Sequence, residues 1–464
     1  MPKTVTRLAV LLLAIVAAAG WLLARHEAAG WRWLVNGGWH TTARMGKLSA
    51  EEHRWAEIAW RYVENNTQDG TGLVNGSDKR PVASLWQMGD MLIALTAARQ
   101  LGLTDDAAFD HRLTQLLGTL NQLPLTPAKL PNLLYNTQNV AMVGYGNTPQ
   151  IIGWSSRDIA RLMMALRIVA AFHPEYGEYL DRVILRWDFC RLVDDKGQLY
   201  AGQMQDKKLV NRAEGRLGDS EYSAAGLGLW GFANQQSLRP PAQHVIIDGL
   251  ALDIDSRDPR TTWTPSSITT TPYALSGIEY GWELPGADRD ILKLLRQRAS
   301  NVYRVQERRW EKEHILTARS DFAISAPPWH VNDTIFANGY AWNTLADNGA
   351  WVPKLAQVST SAVFGLWVLW DTPFTDALMK MTRLQNDPAR GWYEGRVEAT
   401  GSYNRAITLS TNAMVLEALF YKSNMGPLLS HGELPARSYF RQQLDDPFNA
   451  PQRCFPVVSA AAQE

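Results

Sequence analysis

Acidic side chains beside aromatic rings are the residues of this chain best suited to chemistry. In "EGRLGDSEYSAAGLGLWG", residues 214–231, Glu214, Arg216, Asp219 and Glu221 come just ahead of a nearly unbroken run of small and apolar residues. In "GWYEGRVEATGSYN", residues 391–404, Glu394 follows Trp392 and Tyr393, and Glu398 comes soon after. "LWQMGDM", residues 85–91, sets Trp86 and Asp90 at i and i+4, on one face of a helix. Hydrolysis of a glycosidic bond needs two carboxyl groups across it. One is an acid with a raised pKa; the other stays ionised as base or nucleophile. A flat indole or phenol ring beside them would stack on the apolar face of a sugar. On this reading Glu221 and Glu394 form the catalytic pair, with Glu214 and Asp90 in reserve. Trp86, Trp154, Trp392, Tyr393, Arg216 and Trp329 would bind the saccharide.

The same residues have plainer uses. Asp219 or Ser220 can cap the helix that follows, with Glu221 in its first turn matched to the helix dipole, and Glu214 can pair with Arg216 in the loop. Asp90, inside an apolar helix, needs a partner or water. "GWSSRD", residues 153–158, puts Asp158 in the first turn of a helix starting near Ser155, with Trp154 just before it. "ARSDFAISAPPWHVND", residues 318–333, is a long loop carrying Asp321, Trp329, His330 and Asp333. Glu417, within "NAMVLEALF", reads as a satisfied helix carboxylate.

Such residues become a site only if helix starts gather at one end of a fold. From about Leu48 the chain reads as about a dozen helices in tandem. "SAEEHRWAEIAWRYVENN" opens with Ser49 and Glu52 at capping-box spacing. Some helices carry charges on one face, as at 51–66 and 287–309. Others are nearly apolar and rich in small residues, as at 222–233, 358–370 and 410–421. That alternation predicts an outer and an inner layer. Six hairpins in a ring make an all-α (α/α)6 toroid, and a plain multi-helix bundle is the competing arrangement. The stretch from about 234 to 271, with its Pro pair and its "VIIDGLALDI" alternation, predicts a small strand excursion. The domains expected are a signal anchor or signal peptide over 1–26, a linker over 27–47, the toroid over 48–428, and a surface-draped tail over 429–464.

Bulk properties narrow the partners. Lys plus Arg is 46 and Asp plus Glu is 46, so no net charge draws the chain to nucleic acid. Nineteen Trp have two readings, as core, the default for any one of them, or as the lining of a sugar groove. The two cysteines, Cys190 and Cys454, make either one bridge or two separate thiols. "MPKTVTRLAVLLLAIVAAAGWLLARHE" sets Lys3 and Arg7 before an apolar run from Leu8 to Leu23. It reads as an uncleaved anchor or a signal peptide, which would place the body in the periplasm at the inner membrane. No HExxH, CxxC or paired-His spacing marks a zinc site, no GxSxG is present, and "GLGLWG" lacks the strand a dinucleotide loop requires. No cofactor or metal is expected.

Several motifs in order resemble the DUF3131 family of bacterial envelope proteins: "AWRYVENNTQDGTGLVNG", "SLWQMGDMLIALTAARQLGL", "LPNLLYNTQN", "GWSSRDIARLMMAL", "EGRLGDSEYSAAGLGLWG" and "GWYEGRVEATGSYNRAITLSTNAMVLEALFY". The resemblance runs from about residue 50 to about 423. It implies a six-hairpin, glucoamylase-like or β-1,2-glucanase-like fold and a saccharide ligand. The family pattern places an acid directly after the Trp of "SLW"; here Gln87 stands there, and Asp90 is the nearest acid. That departure favours the alternative of a non-catalytic glycan-binding or assembly component of a polysaccharide export system. A third expectation, a polysaccharide lyase, would use Tyr340 or His330 as base beside Asn332.

Overall fold

The computed structural model describes residues 42–429, apart from 195, 206–207, 233–234, 263–265, 285–286 and 288. The expected anchor, nearly all of the expected linker, the tail beyond Leu429 and Cys454 lie outside the described residues. No helix of the described residues is long and apolar enough to cross a membrane.

Six helices are apolar on every side because every side is covered. They are α2 (Leu85–Gln100), α4 (Ser156–Phe172), α6 (Asp219–Gly228), α7 (Thr271–Tyr280), α9 (Thr360–Leu369) and α11 (Leu409–Ser423). Each packs on the next in that order, and α11 packs back on α2, closing a ring. Small residues let the staves approach. A Cβ on Gly226 of α6 would stand 2.5 Å from the Ala160 carbonyl oxygen of α4.

Around this ring lie helices with one apolar stripe. They are α1 (Ala50–Asn66), α3 (Asp106–Asn121), α5 (Gly177–Leu185), α8 (Arg289–Glu313) and α10 (Pro373–Thr382). The capping box expected at Ser49 and Glu52 starts α1. Between α6 and α7 the alternation calls for another outer helix. Among the described residues only the short turns Gln235–Leu238 and Pro259–Thr262 are helical there. An antiparallel ribbon, Ala242–Ile247 against Leu250–Asp255, comes between these turns and lies on α8. Its two-residue Asp248–Gly249 turn has both φ angles positive, the primed turn a tight hairpin prefers.

The fold is therefore mostly helical rather than all-α. The short strands sit almost entirely in the connections that run from outer to inner helices: 67–84, 122–155, 186–218, 239–270, 314–359 and 383–408. Segments this long must pair their own backbone groups, and two- and three-stranded ribbons do so. The connections leaving inner helices are short, such as 101–105 and 370–372. The ring thus has two unlike ends. All six inner N-termini are reached through the long connections, and those termini bond to one another from stave to stave, as described next.

Candidate active site

Two clusters of charge lie at the inner helices, one inside the ring and one at its N-terminal mouth. The inner one is a hub on Arg161 of α4. Its Nε donates to Asp90 Oδ1 of α2 at 3.0 Å, its Nη1 to the Tyr222 hydroxyl of α6 at 2.9 Å, and its Nη2 to Glu417 Oε2 of α11 at 3.0 Å. Nη1 also pairs with Glu279 of α7. Ser410 Oγ, at the start of α11, donates to Asp90 Oδ2 at 2.7 Å. Three carboxyl groups face one guanidinium, and all are buried. Burial, first of all, raises Glu279 well above the ordinary glutamate value, and the neighbouring Glu417 charge adds to it. Burial likewise raises Glu417 and Asp90 against the pull of Arg161. Glu279 Oε2 and Glu417 Oε1 have no other protein partner, which suits a proton held between them. Asp90 is thus a hub residue, reached from the mouth only through Ser410.

The mouth is built on the first turn of α4 and the approach to α6. Ser155 Oγ caps α4 by accepting from Asp158 N at 3.1 Å. Glu214, in the loop entering α6, accepts from Ser155 Oγ at 2.7 Å, Ser156 N at 2.5 Å, Ser156 Oγ at 2.7 Å and Arg157 N at 3.2 Å. It is a carboxylate seated on the N-terminus of α4, where the dipole favours negative charge. Ser155 Oγ also lies 3.2 Å from Asp158 Oδ1, so Asp158 and Glu214 share one hydroxyl. Asp158 Oδ2 accepts from Trp86 N at 3.3 Å. Burial raises the Asp158 carboxyl to about 6, and the Glu214 charge adds to the rise against Arg157, Trp86 N–H and Ser155.

From there charges alternate across the opening. Arg157 reaches Asp158 at 3.6 Å and Asp219 at 3.7 Å. Arg216 Nε donates to Asp219 Oδ2 at 2.7 Å and its Nη2 to Asp321 Oδ2 at 2.5 Å. Ser267 and Thr269 hold the rest of the Arg216 guanidinium. The sequence Asp158–Arg157–Asp219–Arg216–Asp321 is thus one string. Arg157 is 40% exposed and Asp321 22% exposed along their side chains. Arg157 Nε and Asp321 Oδ1 have no hydrogen-bond partner in the protein. Burial pulls the Arg157 pKa down, but Asp219, Asp158, Glu214 and Asp321 outweigh it and hold the pKa high.

Tyr145 and His330 close the wall. Tyr145 is 71% exposed, yet burial, then Asp158 and Asp347, raise its hydroxyl, so the ring reaches over the acids. His330 Nδ1 pairs with Asp347 Oδ1 at 2.8 Å, and Asn332 Nδ2 donates to the same oxygen at 3.1 Å. Burial lowers the imidazole pKa, but Asp347 and Asp321 more than reverse it. Trp86 touches both clusters, with the guanidinium carbons of Arg157 and Arg161 each 5.5 Å from its ring centroid. Among the described residues no three His, Cys, Asp or Glu side chains are grouped to hold a metal.

The other residues singled out from sequence have different surroundings. Glu221 reaches back to its own helix start. Oε2 accepts from Gly218 N at 2.5 Å and Oε1 from Arg298 Nη1 at 2.5 Å, which occupies both oxygens inside the wall. Glu394 takes Thr408 Oγ1 at 2.6 Å and Thr411 Oγ1 at 2.5 Å on one oxygen and Ala323 N at 3.0 Å on the other, tying α11 to the strand Phe322–Ala323. Burial raises both carboxyls. Glu221 and Glu394 share none of these partners. Trp392 is completely buried, donates to the Trp55 carbonyl at 3.1 Å and packs edge-on to Phe364, so it belongs to the core. Trp154 is buried with its Nε1 3.3 Å from the Tyr200 carbonyl. Arg216 is buried within the acid string. Tyr393 is partly buried against Tyr403. Trp329 is 58% exposed on the long connection before α9.

In the sequence Arg157 has no assigned role, Asp321 is only an acid of a long loop, and Asp158 only a first-turn acid. One signal would have found the first of them. "SSRD" and "GRLGDSE" both carry an Arg and an Asp at the starts of consecutive inner helices.

Gln87 is settled by geometry. It is the third residue of α2, its Oε1 accepts from Ser84 N at 2.9 Å and its Nε2 donates to the Gly76 carbonyl at 3.1 Å. That side chain completes a capping box, and an acid there would cap as well.

The chain belongs to the DUF3131 family of proteins of unknown function, whose model matches residues 54–425. No curated protein matches the sequence. Its fold is similar to that of a candidate glucoamylase from Bacteroides caccae, with TM-score 0.61, 10% identity, and 80% of this chain covering 93% of that one. It is also similar to an endo-β-1,2-glucanase from Chitinophaga pinensis in complex with sophorotriose and glucose, with TM-score 0.57, 11% identity, and coverage of 81% and 93%. An endo-β-1,2-glucanase from Talaromyces funiculosus in complex with sophorose is similar at TM-score 0.53 and 12% identity, with coverage of 81% and 84%.

Proposed function

We propose that this protein is a glycoside hydrolase that processes an envelope or exopolysaccharide glycan at the mouth of its helical ring. One observation carries the reading: Asp158, a carboxyl lifted to about 6, shares the mouth with Asp321, whose Oδ1 is unpartnered. Asp158, its carboxyl raised to about 6 by burial and then by the Glu214 charge, is the proton donor to the leaving sugar oxygen. Asp321, paired with Arg216, takes the proton of the attacking water. Trp86, Tyr145 and Trp329 supply the faces on which pyranose rings stack. Of the carboxylates marked by sequence, Glu214 works through Asp158, while Asp90, Glu221 and Glu394 hold the frame. The fold shared with β-1,2-glucanases supports a saccharide ligand.

The export-assembly alternative rested on Gln87, and a capping residue no longer speaks for it. A periplasmic body anchored at the inner membrane belongs to the same proposal and rests on residues 1–26. A protease-protection assay on spheroplasts tests it; a body that stays shielded there contradicts it. The main test is digestion of bacterial glycans by the soluble body, from about residue 40. Asp158→Asn is expected to lower turnover by about 10²–10⁴-fold. Unchanged turnover removes Asp158 from the chemistry, and binding without turnover in the parent protein returns the assembly reading.

A further inference from the structure

The mouth has a sign. Its string carries three carboxyl groups, Asp158, Asp219 and Asp321, against two guanidiniums, and Glu214 and Asp347 add two more. Even with Asp158 protonated, carboxylates outnumber guanidiniums. Of the two cations, one is enclosed and the other is flanked by acids. Arg216 is buried with Asp219, Asp321, Ser267 and Thr269 around it. Arg157 lies between Asp158 and Asp219. His330 and Asn332 both point at Asp347. The lyase reading would need two of those groups to neutralise a uronate instead. The carboxylates that reach the opening are Asp347, its side chain 63% exposed, and Asp321, 22% exposed, beside Arg157 at 40%.

We infer that the mouth selects its glycan by charge, accepting chains without anionic groups and using Asp321 and Asp347 to turn away uronate, sulfate and phosphate sugars. An incoming carboxylate meets like charge in a partly enclosed place, where screening is weak. Sugar hydroxyls or amines instead donate to the free oxygens. This rests on the proposed function for the location of the site and names the substrate class for it.

The test is binding, read apart from turnover. A β-glucan tetrasaccharide, a chitosan tetramer and a tetragalacturonate are titrated calorimetrically into the soluble body at about 0.02 M and about 0.5 M salt. At low salt the uronate is expected to bind at least about tenfold more weakly than the neutral chain. The gap should shrink at high salt. Asp347→Asn should narrow it at low salt, chiefly by tightening uronate binding. Equal or tighter binding of the uronate at low salt overturns the inference, whatever is hydrolysed. Charge selectivity without turnover of any chain overturns the hydrolase reading and leaves this one standing. Failure of all three to bind overturns both.

Discussion

The hub and the mouth are made of the same materials and do opposite things with them. Each sets carboxyl groups around arginine on the inner helices, and each has carboxyl groups whose pKa burial raises. In the hub the charges converge on Arg161 and every member is sealed in the ring. In the mouth they alternate along an opening, where the Arg157 and Asp321 side chains are 40% and 22% exposed. A perturbed pKa therefore does not by itself locate chemistry. Asp333 makes the point from a third place. Burial raises it to about 6, as it does Asp158, yet Arg319, Thr344 and Gln357 N enclose it completely. Asp158 lies beside two exposed groups, Arg157 and Tyr145.

The largest effect is expected where the hub loses its only cation. Arg161→Met would leave three buried carboxyls without their counter-charge, a loss of about 3–5 kcal/mol. Urea denaturation should show a sharply lower midpoint or no folded protein, and wild-type stability would break the account of the hub. Next in size is the mouth: Asp158→Asn removes turnover while the urea midpoint moves little. Asp333→Asn should do the reverse and keep turnover per folded molecule.

Glu221→Gln gives up half of the Arg298 contact and should cost about 1–3 kcal/mol, with turnover per folded molecule unchanged. If turnover collapses with the fold intact, Glu221 is a reagent after all. The smallest and most specific effect is in pH. The folded pKa of Glu279 lies above its ordinary 4.5, so the folded state keeps a proton that the unfolded chain releases. The stability this contributes is full below about pH 4.5 and is lost as pH rises through the folded pKa. Glu279→Gln should flatten that decline between pH 5 and pH 8 in urea midpoints; an unchanged slope would mean the proton sits elsewhere.

The two layers were legible because burial writes itself into composition. "TSAVFGLWVL" of α9 can only be covered on all sides, and "RDILKLLRQRASNVYRVQERRWEKE" of α8 can only be covered on one. The reduced outer stave was half legible. The ribbon showed in its alternation and its Asp–Gly turn, but nothing in "NQQSLRPP" says that a helix has been cut to one turn. The site was harder. Glu221 and Glu394 were conspicuous by position, but which way a first-turn glutamate turns depends on Arg298, on another helix. Trp392 and Trp154 are chemically identical to groove tryptophans, and only packing against Trp55, Phe364 and Tyr200 decides their place. Asp158 looked like an ordinary first-turn acid because its pKa is raised by burial in the folded ring and then by Glu214, which arrives from a distant connection.

The central claim is that an acid becomes a reagent here only where a raised pKa meets an opening. Asp158, beside exposed Arg157 and Tyr145, and Asp333, enclosed by Arg319, Thr344 and Gln357 N, are both raised to about 6, so the direct measurement is the paired turnover of Asp158→Asn and Asp333→Asn on one glycan, each corrected for folded fraction. The account predicts a loss of about 10²-fold or more for the first and wild-type turnover for the second. Equal losses in both, or a loss confined to Asp333→Asn, would contradict it.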